Sequence, residues 1–248
     1  MKPLLLCGPV AIGVIAYLKT TRYKAFAYRL VGAPIVAIPM TAMLKAGGVD
    51  VHVLAAYSFV GMLGGLGFSI AIWRNLKRLA TPRMILAGWA GFVMVVGLCR
   101  QFELHWSAWA LLEFTALGFT LRAYSRSQVA DKDILLQTET PKVHPAMVVG
   151  MQMLAALLLG ACMDSAKASF PQYAVLLGAL PLGGSVLLAA THWWEGPQET
   201  QAMLAAFIRG TFSLFAFNLI IACVPGWFGY ALASLASVLL VLGLNRQR

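Results

Sequence analysis

Charged residues are scarce in this chain. Only 11% of its 248 residues are Asp, Glu, Lys or Arg, while 60% are apolar, and the mean hydropathy is +0.78. About a quarter of the residues of a typical soluble domain are charged. A soluble fold of this composition would lack the polar side chains needed to cover its surface. The composition therefore excludes an ordinary soluble protein and predicts an integral membrane protein.

Cysteine is also rare, and the patterns of common catalytic sites are missing. The four cysteines form no CxxC pair and stand beside no histidine cluster, which argues against a disulfide framework or a metal site. The chain has no HExxH motif, no paired aspartates within an apolar run and no glycine-rich phosphate loop. We therefore expect no enzyme activity, no catalytic residues, no metal and no cofactor.

The net charge of +10 is distributed in a way that argues against a nucleic-acid partner. The lysines and arginines stand in short gaps between apolar runs, which is the pattern of a membrane topology signal. The partners we expect are the lipid bilayer and a small solute, with homo-oligomerisation left open.

Nine apolar runs are candidates for transmembrane helices, since a span needs about 20 mostly apolar residues. The sequence thus predicts an all-α bundle of about nine helices. The fifth run contains Glu113 and could instead lie in the membrane interface. The runs are Pro3–Leu18, Phe26–Leu44, Val51–Trp73, Met84–Cys99, His105–Leu121, Ala146–Met163, Tyr173–Thr191, Gln201–Val224 and Phe228–Leu244.

The basic residues predict the orientation. With nine spans and the N-terminus outside, fourteen Lys and Arg residues fall on the cytoplasmic side and four outside; without the fifth span the split is nine to nine. Positive charge accumulates on cytoplasmic loops, so nine spans with a cytoplasmic C-terminus are favoured. The fourteen are Lys19, Arg22, Lys24, Arg29, Arg74, Lys77, Arg78, Arg83, Arg122, Arg126, Lys132, Lys142, Arg246 and Arg248, and the four are Lys2, Lys45, Arg100 and Lys167.

An internal repeat predicts the domain organisation. Gly32 and Pro34 in one span correspond to Gly178 and Pro181 in another, and the turns that are basic in the first half carry a single lysine in the second. The positive-inside rule would then place the two halves upside down relative to each other. We expect an inverted 4+1+4 arrangement: residues 1–104 as the first repeat, residues 105–144 as a linking helix and connector, and residues 145–248 as the second repeat.

The second half also resembles a known family. Its polar turn after the first helix, the Leu180-Pro181 element, the segment Ala190-Thr191-His192-Trp193 and the turn Glu195-Gly196 are similar to those of the GlpM family of small four-helix bacterial inner-membrane proteins. The resemblance implies a tandem architecture in the bacterial inner membrane, similar in plan to drug/metabolite transporters. It brings no catalytic motif and no substrate.

Two ionisable residues inside predicted spans are the first candidates for a binding site. A charge at the centre of a membrane helix costs about 2.5–3.5 kcal/mol on insertion scales, so such residues usually face the bundle interior. Glu113 is a candidate proton or cation site, and Arg209 a candidate anion or counter-ion site. The structural alternatives are a Glu113–Arg209 pair, or an Arg209 side chain that reaches the cytoplasmic surface.

Four further residues complete the candidate site. Pro34 and Pro181 interrupt spans at matching places in the two halves, and interrupted helices in matched positions mark transport sites. Asn218 is a polar residue of the following helix, and His192 is a candidate for proton binding, although a solvated interfacial histidine is the plainer interpretation. On the third span, Gly61 and Gly65 form a GxxxG motif, which favours close helix packing over a pore lining.

These features predict a secondary transporter or flippase that moves a small or lipid-linked solute by alternating access. The alternative is a non-transporting membrane scaffold or accessory subunit, because duplication alone can produce such a bundle. A polar cavity at the midplane between the halves would favour transport, and a solidly packed interior would favour a scaffold.

Overall fold

All regular secondary structure in the described part of the chain is helical. A computed structural model describes residue 14 and residues 37–130, 145–166, 170–179, 181–224 and 226–244. Over these residues the predicted all-α class is confirmed. The helices are α1 (Ala37–Ala46), α2 (Val51–Asn75), α3 (Thr81–Cys99), α4 (Trp106–Ala130), α5 (Pro145–Ala166), α6 (Pro171–Ala179), α7 (Leu182–Cys223) and α8 (Trp227–Leu244).

Three of these helices are long and apolar enough to cross a membrane: α2, α3 and the part of α7 from Gly184 to Cys223. On α3, Leu86, Met94 and Leu98 are each 65% exposed or more. Soluble monomeric proteins rarely expose large apolar surfaces to water. An exposed apolar face of this kind therefore marks a contact with lipid or with another protein. The helices are therefore compatible with an integral membrane protein.

Helix α2 begins at Val51, as the sequence predicts, and extends two residues beyond the predicted end at Trp73. The side chain of Asp50 caps its N-terminus by accepting hydrogen bonds from the backbone N–H groups of His52 and Val53, at 2.9 and 3.1 Å. This contact supplies a partner to N–H groups that have none within the helix. The helix ends at Asn75, and we call its two extremities the Asp50 end and the Leu76 end.

Helix α2 lies at the centre of the bundle. Phe59 of α2 contacts Phe215 of α7, with ring centroids 5.6 Å apart. The apolar cluster towards the Leu76 end joins Ile72 of α2 to Met203 of α7, and the cluster towards the Asp50 end joins Leu54 to Ile221. Residues of increasing number along α2 therefore contact residues of decreasing number along α7. This order shows that α2 and the second part of α7 run antiparallel.

Helix α4, the doubtful fifth span of the prediction, runs alongside α2 over nearly its whole length. Trp106 stacks on His52 at the Asp50 end, with centroids 6.0 Å apart, and Tyr124 contacts Trp73 near the Leu76 end at 5.5 Å. The helix therefore passes through the depth of the bundle instead of lying across one end. The predicted fifth span ends at Leu121, but the helix continues to Ala130. The first residues after the predicted span are therefore helical.

Helix α7 contains a sharp turn. Gly196, at φ 85° and ψ 178°, separates helical residues 182–195 from 197–223, and Pro197 follows it. These dihedral angles belong to a region that is almost exclusive to glycine. The Glu195-Gly196 turn between the predicted seventh and eighth spans is therefore present, and the two segments of α7 form a helical hairpin.

The nine predicted spans do not map one to one onto the helices of the described residues. The seventh, Tyr173–Thr191, is divided at Pro181, where the sequence predicts an interruption: α6 ends at Ala179 and α7 starts at Leu182. Of the first span only Val14, which is helical, is described. Most of the second span lies outside the described residues, and the inverted repeat stays a prediction.

Candidate functional site

The inward face of α4 carries the buried carboxylate that the sequence singled out. Buried residues recur on this helix every three or four positions, which is the spacing of one helix face. Glu113 stands in the middle of that face and is fully buried, while Leu111 and Phe114 beside it are exposed. The buried positions are Trp109, Ala110, Glu113, Leu117, Thr120 and Tyr124.

Neither carboxylate oxygen of Glu113 has a hydrogen-bond partner among the described residues. The alternative of a structural Glu113–Arg209 pair is therefore absent as a hydrogen-bonded contact. An isolated carboxylate in an apolar interior is strongly disfavoured unless it is paired, coordinated or neutralised. Glu113 is therefore a group that needs a ligand or a proton in this conformation.

Asn218 of α7 is a second buried group with a free acceptor. Its side chain is 1% exposed, and its Nδ2 donates a hydrogen bond to the sulfur of Met62 on α2 at 3.1 Å. Its Oδ1 has no hydrogen-bond partner among the described residues. The contact with Met62 fixes the direction of the amide and leaves one strong acceptor, the Oδ1 atom, available.

Glu113 and Asn218 lie at a similar depth. The ring of Phe114, the residue after Glu113, contacts the ring of Phe215 at 5.7 Å, and Phe215 precedes Asn218 by one helical turn. Met62, which binds Asn218, is one residue from the midpoint of α2. The described residues therefore place three unpartnered oxygen acceptors near the middle of the bundle.

The break between α6 and α7 lies at the same depth. Gly61 of α2 packs directly against Ala179, the last residue of α6, and a Cβ at Gly61 would collide with the Ala179 methyl group. Pro181, which has no N–H to continue a helix, precedes α7, and its carbonyl accepts hydrogen bonds from the backbone and hydroxyl of Ser185, both at 2.6 Å. We call Met62, Glu113, Pro181 and Asn218 the mid-depth site.

His192, by contrast, lies at the Leu76 end. Its Nε2 donates to the carbonyl of Leu76 at 3.1 Å, and its Nδ1 is 2.8 Å from the hydroxyl of Thr81. A neutral imidazole has one donor and one acceptor nitrogen, which fits a ring that joins the end of α2 to the start of α3. The structure thus gives His192 a role in holding the helix ends, away from the mid-depth site.

Arg209 and Pro34 complete the predicted set. Arg209 is half-buried on α7 and stands nine residues before Asn218, about 13 Å along the helix at 1.5 Å per residue. Pro34 lies outside the described residues. The structure therefore places Glu113, Asn218 and Pro181 at a similar depth, and His192 and Arg209 at other depths.

Sequence reasoning did not identify Met62 or Cys99. A methionine in an apolar helix normally serves packing, and nothing in the sequence shows that its sulfur accepts a hydrogen bond from Asn218. Cys99 is buried at the end of α3, in one apolar cluster with Trp109 and Ala110 of α4. Met62 joins the site only through its contact with a helix that is distant in the sequence.

Comparison of the chain with protein-family models, with curated proteins and with solved structures finds no match. The resemblance of the second half to the GlpM family stays a prediction.

Proposed function

We propose that this protein is a secondary transporter or flippase, which moves a small or lipid-linked solute across the bacterial inner membrane by alternating access. The observation that carries the proposal is the interrupted helix α6–α7 at mid-depth, at the same depth as the buried acceptors of Glu113 and Asn218. Transporters bind substrates and coupling ions near the bilayer midplane, where discontinuous helices offer backbone groups and helix ends.

The energetics of the membrane interior support this proposal over a purely structural role. A buried polar group without a partner costs stability and is retained where it serves a function. Non-helical backbone at membrane depth is tolerated where it is covered by protein or lines a cavity. The unpartnered buried oxygens and the non-helical backbone both lie at one depth in the bundle, beside the midpoint of α2.

The direction of the helices is also consistent with the proposal. In the predicted inverted repeat, α2 of the first half corresponds to the second part of α7, and these two segments pack antiparallel. Antiparallel packing of equivalent helices is what an inverted repeat requires. Two pseudo-symmetric halves could then rock about the mid-depth site.

The charges of the described residues favour a cytoplasmic Leu76 end. Five basic residues lie near that end and two near the Asp50 end, and cytoplasmic loops carry the excess of positive charge. We therefore propose that α8, which runs antiparallel to the second part of α7, carries the C-terminus to the cytoplasm. The five are Arg74, Lys77, Arg78, Arg83 and Arg122, and the two are Lys45 and Arg100.

Thiol accessibility tests alternating access without knowledge of the substrate. In a variant without the native cysteines, single cysteines replace Ser58 or Thr120. Both residues are buried; Ser58 lies on the Asp50 side of the mid-depth site and Thr120 on the Leu76 side. A membrane-impermeant maleimide should label Ser58→Cys from the outside and Thr120→Cys from the cytoplasmic side. Glu103→Cys, exposed at the Asp50 end, is the positive control.

Locking one end sharpens this test. Thr81→Cys and His192→Cys can be bridged by a short bis-methanethiosulfonate reagent, because the native side chains are in contact across the Leu76 end. The bridge should suppress labelling of Thr120→Cys and leave Ser58→Cys reactive. A scaffold protein predicts that neither buried cysteine reacts, with or without the bridge, and that result would overturn the transport proposal.

A further inference from the structure

The unpartnered oxygens of the mid-depth site share one chemical property. Glu113 contributes two carboxylate oxygens and Asn218 one amide oxygen, and all three accept hydrogen bonds. The Nδ2 donor of Asn218 is already used by the sulfur of Met62. The polar atoms of these two side chains that remain available are therefore all hydrogen-bond acceptors. Such a group of atoms attracts a proton or a cation and repels an anion.

The count and chemistry of these oxygens favour a proton over a hard metal ion. Magnesium and calcium take six or more oxygen ligands, and the described side chains offer three free oxygens from two residues. A proton needs only one carboxyl oxygen. It also turns that carboxyl into a donor, at the depth where the remaining free atom, Oδ1 of Asn218, is an acceptor.

The charges on the surrounding helices do not neutralise Glu113. Cys99 on α3 is a thiol, and the carboxylate oxygens have no partner on α7, where Arg209 is half-buried. On α2, His52 and Arg74 stand at the two ends of the helix, and Arg122 of α4 is exposed nine residues after Glu113. A carboxylate that is buried without a partner in this way is expected to take up a proton.

We infer that Glu113 carries the coupling proton of the transport cycle: its carboxyl is protonated in the closed conformation and loses the proton to water when the mid-depth site opens. This inference rests on the proposed function and names its driving ion. The proton binds to a carboxylate oxygen from water on one side of the membrane and leaves to water on the other. Each cycle therefore transfers one proton per Glu113 and restores the carboxylate.

Labelling with dicyclohexylcarbodiimide tests the protonated state directly. This apolar reagent adds to a protonated carboxyl: a carbodiimide nitrogen takes the acid proton, the carboxylate oxygen bonds to the central carbon, and no group leaves. The full-length protein in phospholipid vesicles should give an adduct at Glu113 by mass spectrometry. The adduct should be absent in Glu113→Gln, and its yield should fall as the pH rises. Glu103, an exposed glutamate, is the internal control and should remain unmodified.

Two results of the labelling would overturn the inference. If Glu113 forms no adduct at any pH, its carboxyl is not protonated in the apolar interior. If sodium chloride protects Glu113 while choline chloride at equal ionic strength does not, the carboxylate binds a metal cation instead of a proton.

A second measurement tests coupling. The ratio of maleimide labelling at Ser58→Cys to that at Thr120→Cys should change several-fold between pH 6 and pH 8. The change should disappear in Glu113→Gln and persist in Glu103→Gln. A pH-dependent ratio that survives in Glu113→Gln would assign the proton to another group. If neither cysteine is ever labelled, the proposed transport function fails, irrespective of the carbodiimide result.

Discussion

Asn218 of α7 donates a hydrogen bond from its Nδ2 to the sulfur of Met62 on α2, at 3.1 Å, while its Oδ1 has no hydrogen-bond partner among the described residues. A thioether sulfur is a weak acceptor, so this bond orients the amide more than it stabilises the bundle. The orientation matters because it leaves the stronger acceptor, Oδ1, free at the depth of Glu113.

Replacing Met62 by Leu tests this relationship. The substitution conserves volume but removes the sulfur that accepts the hydrogen bond of Nδ2, and an unsatisfied buried donor costs about 1–3 kcal/mol. We expect the free energy of unfolding, measured in mixed micelles, to fall by about 1 kcal/mol, because bonds to sulfur are weak and interhelical bonds in membranes average about 0.6 kcal/mol. The matched control is Met84→Leu, because Met84 lies in the apolar cluster towards the Leu76 end. Equal losses in the two variants would show that the Asn218–Met62 bond has no energetic role.

Gly61 and Gly65 of α2 are expected to differ, although the sequence places them in one GxxxG motif. A Cβ at Gly61 would collide with Ala179, whereas a Cβ at Gly65 would meet no atom within 4 Å. We expect Gly61→Ala to destabilise the protein by about 1–3 kcal/mol, as overpacking commonly does. Gly65→Ala should be neutral or stabilising by up to about 1 kcal/mol, because Ala is the better helix former.

Thermal unfolding in detergent compares the two variants directly, since they differ only by one turn on the same helix. A stability loss in Gly65→Ala as large as in Gly61→Ala would contradict the packing of α2 against α6. The Gly61→Ala variant should also alter the labelling of Thr120→Cys, because it displaces the end of α6 at the mid-depth site.

Gly196 is expected to be intolerant of any side chain. Its φ of 85° with ψ of 178° lies in a region where other residues pay about 1–3 kcal/mol. Gly196→Ala should therefore lower the unfolding temperature and loosen the hairpin between the two segments of α7. Gly118→Ala on α4 is the control, because a Cβ there meets no atom within 4 Å. If both variants unfold at the same temperature, the backbone conformation at Gly196 does not require glycine, and this prediction is wrong.

The helix boundaries were partly predictable because their signals are local. The predicted span Val51–Trp73 agrees with α2, and Met84–Cys99 agrees with the greater part of α3. Asp50 caps α2 through its own neighbours, and Pro82 stands in the first turn of α3, where proline is tolerated. Such signals depend on a few consecutive residues and need no knowledge of the fold.

The interruption at Pro181 was predictable as an irregularity but not as a division into two helices. The apolar run Tyr173–Thr191 is long enough for a single span, and proline within membrane helices is often tolerated. The packing of Ala179 against Gly61 shows where the break lies relative to α2, and that contact joins segments separated by more than a hundred residues. The depth of the break therefore depends on the tertiary structure.

Composition by itself determined that this chain forms apolar helices compatible with a membrane, since no soluble packing could cover so many apolar side chains. The order of the residues also marked Glu113 as an unusual residue within a predicted span. Only the tertiary structure decided that Glu113 faces the interior at the depth of Asn218, while Leu111 and Phe114 are exposed. The physical reason is that a helix with apolar residues on both its outward and its inward face has no amphipathic pattern to indicate its orientation. The packing of α4 against α2 and α7 fixes that orientation instead.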